Sequence, residues 1–219
     1  MNYKFIHSGA ERHHKSMSEV GMDDKKTRLF NCAKELFTTK GFKDTGIADI
    51  TRRAGFSVGT FYNYYPSKDQ LFLEIMEQET ADLMNRIMQT INPDDDPVKL
   101  IKQVLVLNMQ GMLSNPILSQ WYNPDVYHKI ERAFQEDDGI SRIDFLYRYF
   151  IQMVEKWQAE GKMRTDISSE MIMAIFGAII RIGYHKEEIG LQYFPALQDH
   201  LTDFVLMGLT DFPKQEDAR

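Results

Sequence analysis

The residues with chemistry to offer lie in one stretch, Gly41 to Phe72, which reads GFKDTGIADITRRAGFSVGTFYNYYPSKDQLF. Ser57 can cap a short helix there and Pro66 stops it. At about 100° per residue, turning Phe61 inward brings Tyr65 in beside it. Gly59 and Asn63 then point outward, with Thr60 and Tyr62 on either side and Val58 and Tyr64 nearer the edges. None of the four outward residues is charged. A glycine on this face lets the backbone approach a groove closely. The Thr60 and Tyr62 hydroxyls can donate to phosphate oxygens, and the Asn63 amide can pair with a base edge, by preference adenine. Arg52 and Arg53 just before the helix, and Lys68 just after it, supply cations for a phosphate backbone. Residues of these types in this order suit the recognition of double-stranded DNA rather than bond making.

Such a helix needs a frame. Apolar residues at Leu29, Ala33, Leu36 and Phe37 predict a first helix from Lys25, closed by a left-handed Gly41. Thr45 is the expected N-cap of a second, short helix with Ile47, Ile50 and Ala54 inward, and Gly55 closes it. Helix, glycine turn, short helix and stop form the layout of a helix-turn-helix. Ser67 opens a long fourth helix with the capping-box pattern Ser-Lys-Asp-Gln. Further helices are expected over Val98–Leu113, Asp125–Gln135, Ile143–Glu160, from Ser168 or Ser169 to Lys186, and from Pro195 to Leu209. No stretch alternates with period two, so no strand is expected. The fold class is all-α with about nine helices. It divides into a mobile arm over 1–22, a helix-turn-helix domain over 23–70, and a helical effector-binding and dimerisation domain over 71–212.

Composition sets limits on function. The 219 residues carry a net charge of −6, but residues 1–72 balance at +4 and the rest at −10. A basic front on an acidic body fits contact with nucleic acid. A single cysteine, Cys32, rules out a disulfide framework and a cysteine-based zinc site, and beside an apolar stripe it reads as core. The longest apolar run, Met171 to Ile180, is half of the roughly 20 residues a bilayer requires. The first residues lack the apolar core of a secretory signal. A cytoplasmic chain with no membrane partner is expected. No nucleophile elbow, Walker loop, dinucleotide fingerprint or HExxH is present, so an enzyme is not expected. The histidines of the body form no close helical pair. The acidic runs at Asp94–Asp96 and Glu136–Asp138 lack EF-hand spacing. No metal and no cofactor are expected.

The stretch resembles the DNA-binding domain of TetR-family (tetracycline-repressor-like) regulators. The similarity runs through Ala33, Leu36, Phe37, Gly41-Phe42, Thr45, Ile47, Asp49-Ile50, Ala54-Gly55, Ser57, Gly59-Thr60, Tyr62, Tyr64, Ser67-Lys68 and Leu71, without a gap. Thr51, Phe56 and Tyr65 depart from the family's usual Ala, Val and Phe. The resemblance implies that Thr45, Ser57, Val58, Gly59, Thr60, Tyr62, Asn63, Tyr64 and Lys68 include the DNA contacts. It also implies a C-terminal region that binds a small ligand and a dimer made by the last two long helices.

The residues themselves favour a dimer. The penultimate helix carries Ile172, Ile175, Phe176 and Ile179 and is apolar nearly all round, and the last carries Leu197, Leu201, Phe204 and Val205. Such a helix must be buried on more than one side, which a two-fold four-helix interface would achieve. Two reading helices on one axis imply a palindromic operator. Met109, Met112, Trp121, Tyr122, Tyr127, His128, Phe145, Tyr149 and Met153 are the candidates to line a pocket for an apolar or aromatic effector. The expected function is a DNA-binding regulator, a repressor released by that ligand. An activator, or a C-terminal region that only dimerises, are the alternatives.

Overall fold

A computed structural model of the chain describes residues 17–123, 126 and 140–211. Among them are nine α-helices and no strand: α1 (Met17–Lys40), α2 (Ile47–Ala54), α3 (Val58–Tyr62), α4 (Lys68–Thr90), α5 (Pro97–Ser114), α6 (Ile140–Ala159), α7 (Ser169–Ile182), α8 (Lys186–Ile189) and α9 (Ala196–Thr210). Short 3-10 turns span Leu118–Tyr122, Gly183–His185 and Leu191–Tyr193. The all-α expectation holds for the described residues. The expected helix at Asp125–Gln135 lies outside them, Val126 apart.

Local chemistry sets the boundaries. Gly41 and Gly55 take φ of 85° and 74°, the left-handed conformation in which glycine has no steric cost. The Ser57, Ser67 and Ser168 hydroxyls accept the backbone N–H groups of Thr60, Gln70 and Met171, and the Asp96 carboxylate accepts those of Val98 and Lys99. These caps satisfy donors that the first helical turn leaves open. Two boundaries differ from expectation by four residues or more. α1 starts at Met17, so six residues of the expected arm are helical. α7 ends at Ile182 rather than Lys186. The chain tightens there because the Gln198 amide crosses Gly183 to donate to the Ile179 carbonyl at 3.1 Å. A Cβ on Gly183 would sit 2.8 Å from Gln198 Nε2.

Two apolar cores result. The first gathers Leu29, Ala33, Leu36 and Phe37 of α1, Ile50 and Ala54 of α2, Phe61 and Tyr65, and Leu71, Phe72, Leu73, Ile75 and Met76 of α4. At its centre the Phe72 ring lies 5.0 Å edge-on from Phe37 and 4.5 Å from Phe42. The second core takes the later turns of α4 (Leu83, Ile87) with Leu100, Met112, Met153, Trp157, Ile172, Phe176, Leu206 and Leu209. α4 therefore belongs to both.

The 3-10 turn after α5 is a second bridge. Ile117 belongs to the first core, Leu118 to the second, and Trp121 packs against both. Asn115 fixes this turn by accepting the Ile117 and Leu118 N–H groups at 2.9 and 3.2 Å. Its amide donates to the buried Glu79 of α4, whose carboxylate also pairs with Lys34 of α1. A polar relay thus runs from α1 through α4 to the end of α5.

Candidate nucleic-acid interface

The α2–α3 pair forms the outer edge of the first core. Gly46, not Thr45, is the N-cap of α2, and its N–H donates to the Asp49 carboxylate at 3.2 Å. Thr45 is turned inward, only 1% exposed, and its hydroxyl donates to the Gly41 carbonyl at 2.8 Å. That carbonyl lies where α1 has ended and the chain turns, and Thr45 supplies its donor. The resemblance-based role of Thr45 as a DNA contact is corrected here: its side chain positions the turn. Thr45→Val is expected to cost about 1–2 kcal/mol of stability by urea denaturation, the loss of a buried hydrogen bond, with no change in nucleic-acid affinity of the folded protein.

α3 presents the face expected of it. Phe61 is fully buried and Tyr65 nearly so. Gly59 and Asn63 are exposed, Tyr62 is 56% exposed, and Val58 stands out beside them. The Thr60 hydroxyl is half-buried and lies 3.0 Å from Ser57 Oγ, so these two groups form one polar edge. Tyr64 is half-buried and packs against the first core.

The cations divide. Arg52 is largely exposed, with a contact to Asp49 at 3.3 Å. Arg53 is pinned across to Glu35 of α1, its Nε donating at 3.0 Å, and the carboxylate raises the guanidinium pKa further. The Lys68 ammonium donates to the Phe42 and Thr45 carbonyls at 2.8 and 2.9 Å and lies 4.2 Å over the Phe42 ring. Lys68 thereby clasps the α1–α2 turn, a use that sequence reading missed. The face left for a groove is Ser57, Val58, Gly59, Thr60, Tyr62 and Asn63, flanked by Arg52.

The other named residues fall in the second core or on its surface. Met112 and Met153 are buried there, and Trp121, Tyr122 and Tyr149 are half-buried at its rim. Burial pushes the Tyr122 phenol above its usual pKa. Met109 is 42% exposed, on one surface stripe of α5 with Val106 and Leu113. His128, Tyr127 and the Phe145 side chain lie outside what the structure describes.

The expected dimer residues split by face. Ile172, Phe176 and Ile179 are buried within the protomer's own core. Their spacing made them conspicuous, and it marks the inner stripe of α7. The outer stripe carries Met171, Ala174 and Ala178. On α9, Phe204 is 68% exposed and Met207 and Gly208 lie beside it, while Leu197, Leu201 and Val205 of α9 and Ile175 of α7 are half-buried.

An exposed, uncharged short helix after a glycine turn has the layout of a helix-turn-helix. Residues 29–75 match the family model described as "Bacterial regulatory proteins, tetR family". The uncharacterized HTH-type transcriptional regulator YerO of Bacillus subtilis is 37% identical over 81% of this chain and 65% of its own length. Among solved structures, RolR in complex with resorcinol superposes with a TM-score of 0.64 at 18% identity, over 87% of this chain and 89% of that one. Thermus thermophilus FadR, a TetR-family repressor in complex with lauroyl-CoA, superposes with a TM-score of 0.59 at 22% identity, over 89% and 98%. The family model and these relatives together support a TetR-family transcriptional regulator. Among the described residues no helix is long and apolar enough to cross a membrane.

Proposed function

We propose that the protein is a cytoplasmic, homodimeric repressor that binds a palindromic operator through α3 and is released by a small apolar or aromatic ligand. The observation that carries the DNA half is the outward set of Gly59, Tyr62 and Asn63 on a helix anchored by a fully buried Phe61. In this reading residues 23–70 are the reading unit, completed by the first turns of α4. Residues 71–212 hold the effector and the partner subunit. The ligand half is supported by the mixture of buried methionines with half-buried Trp121, Tyr122 and Tyr149, and by the ligands named for FadR and RolR. A ligand would act by favouring one spacing of the two reading units, which requires different affinity for two states.

Selection of bound fragments from random duplex DNA tests this, with an approximate palindrome as the expected product. On that duplex, Tyr62→Phe is expected to weaken binding about tenfold for every sequence, since it removes one hydrogen bond to a charged oxygen. Asn63→Ala is expected to relax preference at one base position by about 1–3 kcal/mol of discrimination. Gel shifts over a panel of single-base operator variants separate the two, and a uniform loss in the Asn63 variant would refute base reading by that side chain.

A further inference from the structure

Four of the nine cations in residues 23–70 are committed within the fold. Lys26 pairs with Glu74 at 3.1 Å, Lys34 with Glu79, Arg53 with Glu35, and Lys68 donates to two carbonyls. Arg28 of α1 is different. It is exposed, and among the described residues it makes no ion pair and no hydrogen bond. Its guanidinium is nevertheless placed. The guanidinium carbon lies 5.6 Å from the centroid of the Phe56 ring. A Cβ built on Gly55 would come within 3.7 Å of Arg28 Nη2. Gly55, Phe56 and Ser57 form the turn that delivers α3 to its surface. A planar cation with a fork of donors therefore rests on an aromatic platform beside the start of the reading helix, with no anion of its own.

We propose that Arg28, laid on Phe56, is a clamp for the DNA backbone, binding a phosphate that flanks the bases read by α3. The proposal rests on the DNA-binding reading and adds a contact from α1. The planar fork suits two oxygens of one phosphate. Its place on α1, against the turn that precedes α3 rather than on α3 itself, suits the backbone rather than a base edge. The contact would add affinity and register without sequence information. Phe56 has a specific part in this, because a small aliphatic residue at that position would leave the guanidinium without a flat support.

The test compares the whole protein with Arg28→Gln and Phe56→Leu on one duplex selected by the unaltered protein, with affinity measured by fluorescence anisotropy across a salt series. Arg28→Gln keeps a polar side chain at this exposed position and removes only the charge. Its plot of log affinity against log salt is expected to become shallower by about 1 for each bound subunit, with base preferences unchanged. Phe56→Leu keeps apolar packing and is expected to lose affinity by a smaller factor than Arg28→Gln. An Arg28→Gln protein with the unaltered slope and affinity would overturn the clamp while leaving DNA binding in place. A Phe56→Leu protein equal to the unaltered one would overturn the platform. If the unaltered protein selected no duplex, the clamp and the DNA reading would fall together.

Discussion

Replacing Phe204 with aspartate is expected to leave a folded protomer that sediments as a monomer at micromolar concentration. The same variant is expected to bind the selected palindrome about a hundredfold more weakly, or worse, because the second reading helix is no longer held at high effective concentration. The reason is the two-faced character of the last helices. Thr202, Leu206 and Leu209 turn α9 into its own protomer, where they are buried. Phe204 and Met207 face away, 68% and 60% exposed. Beside them α7 offers Ala174 and Ala178, and α9 offers Gly208, where an added Cβ would meet nothing. Small residues around large apolar ones let helices of two copies approach closely, and a two-fold axis places each copy's patch on the other's. A carboxylate at Phe204 would be desolvated twice in such an interface. Ile172→Asp is the control. Ile172 is fully buried in the protomer, so that change is expected to unfold the chain rather than dissociate it. Sedimentation velocity and circular dichroism distinguish the outcomes, and a Phe204→Asp protein that kept a dimer mass would place the interface elsewhere.

How much of this was legible in the sequence varies with the range of the contact. The face of α3 could be read because helical angle is a local property. Once Phe61 was taken as inward, the outward positions of Gly59, Tyr62 and Asn63 followed. The caps at Ser57, Ser67 and Ser168 are equally local. Contacts with a distant partner were not legible in this way. Thr45 has the side chain of a cap, but the carbonyl at the end of α1 claims its hydroxyl. Lys68 and Arg53 look like free cations in sequence, yet each is held by a neighbour on another element. Ile172 and Phe176 were assigned to a partner because α7 is apolar all round, and periodicity does not say which stripe meets the protomer's own α6 and α9. The placement of Arg28 on Phe56 was invisible for the same reason. No spacing rule links a residue of α1 to the turn before α3.

Glu79→Ala addresses how the two cores are joined. Glu79 is buried on α4 at the point where the helix passes from the first core to the second. Its carboxylate accepts from Asn115 and from Lys34, so one side chain ties α1, α4 and the turn after α5. Truncation leaves the Asn115 amide without that acceptor in a half-buried place, while the ammonium of Lys34, 38% exposed, can turn to water. The expected cost is about 2–3 kcal/mol, set by the stranded amide rather than by the ion pair. Lys34→Ala removes only the partly exposed charge and is expected to cost less than about 1 kcal/mol after solvent screening. Glu79→Gln keeps an acceptor for Asn115 and is expected to fall between them. The loss should also be local. With Asn115 released, Ile117 and Trp121 hold the first core less firmly to the second. Amide exchange in α1 and α2 is then expected to accelerate more than exchange in α6 and α7. Urea denaturation gives the first quantity and hydrogen exchange the second. If Glu79→Ala cost no more than Lys34→Ala and exchange rose evenly along the chain, the relay would be a surface ion pair of no consequence, and the two cores would be coupled by apolar contact alone.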